Sequence, residues 1–142
     1  MISKACQYAI KSLIYLGKCP PGSKIPLQEI SDSIGSPPAF TSKILQQLVA
    51  GGYLISTKGN KGGFEFPEGL RDDLTLGDII RVIDGLELQE GCLLGFQECS
   101  RVNPCPIHDY YSEIKRILKQ SIFCLTIDDL LKYNKNKIKL RG

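Results

Sequence analysis

From Ser3 to Gly17 the apolar residues Cys6, Ala9, Ile10, Leu13, Ile14 and Leu16 recur at helical spacing, while Lys4, Gln7, Lys11 and Ser12 take the other face. The pattern predicts an amphipathic helix ended by Gly17. The segment K-C-P-P-G-S-K-I-P, Lys18 to Pro26, is too rich in proline and glycine to be anything but a turn or loop. Pro26 suits the first position of a second, short helix, in which Leu27, Ile30 and Ile34 share a face and Gly35 supplies the stop. A third helix starts at once. Ser36 is placed to cap it, Pro37 and Pro38 fall in its first turn, and Gly51 and Gly52 end it. In this helix Phe40, Ile44, Leu45, Leu48 and Val49 are expected to point inward, and Thr41, Ser42, Lys43, Gln46 and Gln47 outward.

Two short helices joined by a tight turn, the second showing small polar and amide side chains to solvent, form the pattern of a helix-turn-helix. The next stretch, Y-L-I-S-T-K-G-N-K-G-G-F-E-F from Tyr53 to Phe66, has two β-prone arms around a basic, glycine-rich tip and predicts a hairpin. Taken singly, such a helix face is usually just solvated and such a tip just a turn. In this order they predict a winged helix, with Ala39, Thr41, Ser42, Lys43, Gln46 and Gln47 toward the major groove and Lys58, Asn60 and Lys61 toward phosphates or the minor groove. Further on, Tyr111, Ile114, Ile117, Leu118, Ile122 and Leu125 continue a helical stripe into T-I-D-D-L-L, which reads as a capped short helix.

Charge refines this picture. The chain of 142 residues has a net charge of only +3, but residues 1 to 69 hold seven lysines against Glu29, Asp32, Glu65 and Glu68. The following stretch to residue 131 is acidic, and Lys132, Lys135, Lys137, Lys139 and Arg141 make a basic tail. A basic first half suits a polyanion where bulk charge would not. Lys4 and Lys11 interrupt the first apolar stretch, so it does not read as a signal peptide, and no run has the length of a membrane span. The chain is expected in the cytoplasm, with no membrane partner.

The stretch from Cys92 to His108 gathers Cys92, Cys99 and Cys105 with the only histidine of the chain. In a reducing compartment such a cluster reads as metal ligands or reactive thiols before structural disulfides. Three thiolates and an imidazole suit iron. They also satisfy tetrahedral zinc, although the spacing C-x6-C-x5-C-x2-H lacks the close pair of a zinc knuckle. A cluster-free thiol switch is a third reading. Cys6 and Cys124 fall on apolar helical faces and are expected as buried core thiols. No C-x-x-C opens a helix and no carboxylate pair or nucleophile elbow occurs, so the chain does not read as an enzyme.

The motifs Y-A-I-K-S-L-I-Y-L, F-T-S-K-I-L-Q-Q-L-V-A-G-G-Y-L, S-T-K-G-N-K-G-G-F and L-T-L-G-D-I-I-R-V-I-D-G together resemble the Rrf-type (IscR, NsrR and CymR) family of bacterial winged-helix regulators. The resemblance implies a mainly α fold with a small β-hairpin wing and a long C-terminal dimerisation helix. It implies a homodimeric transcriptional regulator, a repressor, on a double-stranded DNA operator. The expected layout is a DNA-binding domain over residues 1–86, a cysteine-rich sensor loop over 87–107, a dimerisation helix and short following helix over 108–133, and a basic tail over 134–142. It further implies an iron-sulfur cluster at Cys92, Cys99, Cys105 and His108. The first gap is one residue longer than the family's usual count. In the NsrR branch an aspartate on the first helix is the fourth ligand; here that position is Gln7, which favours His108 and a [2Fe-2S] over a [4Fe-4S] cluster. Some members work without a cluster and with an enzyme partner, so a thiol-sensing or partner-dependent regulator of the same fold is the alternative.

Overall fold

Ser3 opens the first helix, its hydroxyl accepting the Cys6 N–H at 3.0 Å. In the computed structural model, which describes residues 1–133 and 140, this helix, α1, runs Lys4–Lys18. It goes one residue past the expected stop because Gly17 lies inside the core against the side chain of Leu131. Pro26 is the cap of α2 (Leu27–Ile34) and not its first residue, and Gly35 ends that helix in the left-handed region at φ 69°. The recognition-helix candidate α3 (Pro38–Ala50) follows shortly after. The expected basic tail lies outside the described residues, Leu140 excepted.

The hairpin pairs β1 (Ile55–Thr57) with β2 (Gly63–Glu65), Ser56 opposite Phe64. Phe64 also exchanges both backbone hydrogen bonds with Ile25, each at 2.9 Å, which ties the wing to the loop before α2. Gly63 permits this approach: its φ is 149°, and a Cβ there would sit 2.5 Å from the Ile25 carbonyl oxygen. A 3-10 turn, Leu70–Asp72, leads to α4 (Leu76–Asp84), opened by a capping box between Thr75 and Asp78. Then come a single turn, α5 (Glu87–Glu90), the cysteine loop, α6 (His108–Ser121) and α7 (Ile127–Lys132), the last opened by a second capping box, Thr126 with Asp129.

One core gathers these pieces around α1. Leu13, Ile30, Ile44, Leu45, Leu48, Leu74, Ile79 and Ile127 are all but sealed from solvent, each such side chain stabilising the fold by about 1.5–3 kcal/mol. Asp84 joins α4 to the start of α1, accepting from both the backbone N–H and the hydroxyl of Ser3. The helical stripe expected to run on to Leu125 is interrupted: α6 stops at Ser121. Phe123 turns into the core, and the carbonyls of Phe123 and Leu125 accept from Gly77 and Leu76 at 2.9 and 2.8 Å. Chain pairing with the start of α4 therefore outcompetes continuation of the helix.

Candidate nucleic-acid interface and cysteine loop

Of the α3 residues expected to face DNA, Ala39, Lys43, Gln46 and Gln47 are exposed and Ser42 is half-buried. Thr41, expected outward, is a correction: it is 0% exposed, and its hydroxyl donates to the Pro37 carbonyl at 2.9 Å. The cause is helical spacing, which stacks Thr41 on the same face as Ile44, Leu45 and Leu48. Phe40, expected inward, is 36% exposed and meets the ring of Tyr8 edge-on at 5.8 Å. Ser36 does not cap α3. Pro37 holds the cap position, and the buried Ser36 hydroxyl has no hydrogen-bond partner among the described residues.

The wing tip exposes Lys58, Asn60 and Lys61. A basic feature that sequence reading missed lies beside Phe40: the ammonium groups of Lys4 and Lys11 sit 5.2 and 5.7 Å from the centre of the Tyr8 ring. Polarity alone places these two lysines only on the solvent face of an amphipathic helix. Their spacing around Tyr8 is the signal that could have found the feature.

Between α5 and α6 the loop brings its donors together in two places. Cys99 Sγ and His108 Nδ1 stand 3.5 Å apart. Cys92 and Cys105 are neighbours that shift each other's titration. All three cysteines are half-buried, while His108, the first residue of α6, is only 7% exposed. Its backbone N–H donates to the Cys105 carbonyl at 3.0 Å, which fixes the interval between the last two donors. Among the described residues no three metal-binding side chains are gathered closely enough to hold an ion. By chemistry the donor set, three thiols and an imidazole on a loop that Gly91 and Gly95 can bend, is of the kind that a two-iron cluster takes.

The two paired thiols differ electrostatically. Partial burial pushes the Cys92 thiol up, but the backbone N–H groups of Phe96, Leu94 and Gly95 and the Cys105 side chain outweigh it and hold Cys92 below the ordinary thiol range. Cys105 is raised, first by desolvation and then by the neighbouring Cys92 and Cys99, against a lowering hydrogen bond from Ile107. Sequence reading also missed Lys115. Only 8% exposed, it donates to the Gly91 carbonyl and to Cys99 Sγ, each at 3.1 Å. A lysine in an amphipathic helix reads as solvated, yet it is placed seven residues after His108 and four after Tyr111, on one face.

Outside the loop, Cys6 is buried as expected, its thiol pushed up to about 12 by burial and by Asp84. Cys124 is a correction: it is exposed, its Sγ donating to the Gln120 carbonyl at 3.0 Å, because α6 has ended and Phe123 takes the inward position. No helix among the described residues is long and apolar enough to cross a membrane.

Comparison with known proteins bears on the family and the fold. The chain is 30% identical over 133 residues to a protein of Aquifex aeolicus (strain VF5) that is by name an HTH-type transcriptional regulator, covering 92% of this chain and 91% of the relative. It is 27% identical over 139 residues to an rrf2-like regulator of Rhodobacter capsulatus, covering 92% of each. The fold is similar to that of CymR, the global cysteine regulator of B. subtilis, with a TM-score of 0.74 at 22% identity over 94% of this chain and 97% of that one. It is also similar to T. potens IscR, with a TM-score of 0.69 at 18% identity over 97% and 91%. The profile of the Rrf2 family, described as an iron-dependent transcriptional regulator, matches residues 2–133. That span takes in wing, cysteine loop and α6 together, and the chain belongs to the Rrf2 family: a winged-helix, DNA-binding regulator of transcription and not an enzyme.

Proposed function

We propose that the protein is a cytoplasmic, homodimeric repressor whose operator binding is governed by an iron-sulfur cluster, [2Fe-2S], held by Cys92, Cys99, Cys105 and His108. The observation that carries this reading is the approach of Cys99 to the buried His108 at 3.5 Å, beside the Cys92 and Cys105 contact. Such a cluster supplies a group whose presence depends on iron, sulfide and oxidants. His108 opens α6, so whatever fixes its ring also fixes the start of that helix. Ile114 and Ile117, each 49% exposed on α6, and Ile122 at 45% just beyond it suit a second copy of this chain. A shift of α6 would change the separation of the two recognition helices, which must match the half-site spacing of DNA. Ala39, Ser42, Lys43, Gln46 and Gln47 then read or position, and Lys58, Asn60 and Lys61 hold the backbone. Anaerobic purification followed by absorption spectroscopy and iron and sulfide analysis tests the cofactor. Colour with matched iron and sulfide per protomer is expected, and zinc alone or no metal overturns it.

A second reading is favoured by Cys92 and Cys105 being neighbours that shift each other's titration: a thiol switch without a cluster. Two thiols would join as a disulfide, giving two protons and two electrons to a peroxide or disulfide oxidant. Mass spectrometry of metal-free protein after peroxide treatment would reveal a Cys92–Cys105 bond.

A further inference from the structure

We propose that Lys115 is a positioning residue of the cysteine loop: its ammonium holds Cys99 and the Gly91 carbonyl against α6 and, by donating to the Cys99 sulfur, favours the reduced form of a cluster bound there. The inference rests on the iron-sulfur reading above. A lysine is rarely buried without an acidic partner, because removing its charge from water is costly. Lys115 is 8% exposed, and among the described residues no carboxylate lies within ion-pair distance of it. Its partners are instead the Gly91 oxygen, the Cys99 sulfur, and the face of Tyr111, 5.2 Å from the ring centre. The charge is therefore held in place by the loop beside a donor sulfur. Gly91 and Cys99 bracket the first half of the loop, so one side chain fixes both ends of that segment to α6.

A sulfur bound to iron keeps lone pairs that accept a hydrogen bond. Two ferric irons, two sulfides and three thiolates are formally anionic, and one added electron makes them more so. A fixed cation and an N–H···S bond both favour that change, and both are recognised determinants of cluster potential. The electron comes from an external low-potential donor and converts one ferric iron to ferrous, with no bond broken.

The test uses the full chain, anaerobically loaded and titrated with dithionite while absorption is followed. Lys115→Met keeps the apolar stem and removes charge and donor. It should disfavour reduction by about tenfold, 59 mV for a one-electron couple, with Lys115→Arg restoring most of the shift. Lys119, on the same hollow beside Cys99 and Lys115, provides the control: Lys119→Met should shift the potential much less. An unchanged potential in Lys115→Met carrying the same iron and sulfide overturns the proposal, as does an equal shift in Lys119→Met. If Lys115→Met does not load, Lys115→Gln, which keeps a donor without charge, is titrated with the same expected direction. Wild-type protein that takes up neither iron nor sulfide would overturn the cluster reading first and this inference with it.

Discussion

Cys99 and His108, nine positions apart in the chain, bring Sγ and Nδ1 to 3.5 Å because His108 is held at the start of α6 while the loop folds back along that helix. Among the described residues Cys19 and Cys124 have no such neighbour, their sulfurs donating to the Tyr15 and Gln120 carbonyls. Serine at position 92, 99 or 105, or alanine at His108, is therefore expected to remove or alter the bound iron. Cys19→Ser and Cys124→Ser should retain it in full. Iron and sulfide analysis of the six variants checks this, and equal depletion in the Cys124→Ser protein would contradict the ligand set.

The wing carries Lys58 and Lys61 exposed at its tip, on a hairpin anchored to Ile25 through Phe64. The double variant Lys58→Ala/Lys61→Ala should fold normally and bind operator more weakly. Its log–log dependence on salt should flatten by about 0.9 for each phosphate that the wing no longer neutralises. Fluorescence anisotropy over a salt series measures the slope, and an unchanged slope would take the wing away from the DNA.

Thr41 and Gln46 separate packing from reading on one helix. Thr41→Val removes a buried hydroxyl whose acceptor, the Pro37 carbonyl, still receives the Thr41 backbone N–H at 2.9 Å. The expected cost in urea denaturation is about 0.5–1 kcal/mol, with operator preference unchanged. Gln46 is exposed, and Gln46→Ala should leave stability within about 0.5 kcal/mol while relaxing base discrimination at one position by about 1–3 kcal/mol. Competition with single-base operator variants distinguishes the two outcomes.

Asp129 titrates below the ordinary aspartate range because the Thr126 backbone N–H and then its hydroxyl bind the carboxylate, with Lys132 adding attraction. A group whose folded value is depressed stabilises the fold above its unfolded value and loses that contribution as pH falls through the folded one. The melting temperature of Asp129→Asn should therefore lie below that of the wild type at neutral pH. The gap should narrow as pH drops from the ordinary aspartate range downward. A gap independent of pH would mean that the capping box acts without its charge.

Much of the architecture is legible in the chain because local signals agree. Gly35, Gly51 and the T-I-D-D-L-L start at Thr126 mark helix ends, and the K-G-N-K-G-G tip marks the hairpin. Local signals mislead where a tertiary contact decides the outcome. Polarity points Thr41 outward, whereas its spacing with Ile44 and Leu45 buries it; hydrophobicity points Phe40 inward, although it sits at the rim against Tyr8. The end of α6 depends on backbone bonds to Leu76 and Gly77, about forty-five residues back, which no local pattern encodes. The composition of the cysteine loop is visible in the spacing, but Lys115 is not, because only folding brings Gly91 and Cys99 to the same ammonium.

If the state of the Cys92–His108 loop governs DNA binding, one preparation should change its affinity on anaerobic cluster loading, measured on an operator duplex selected by the protein from a random pool. The expected difference is at least about tenfold, corresponding to about 1.4 kcal/mol, and it should disappear in Cys99→Ser. Equal affinity in the loaded and metal-free protein would contradict it.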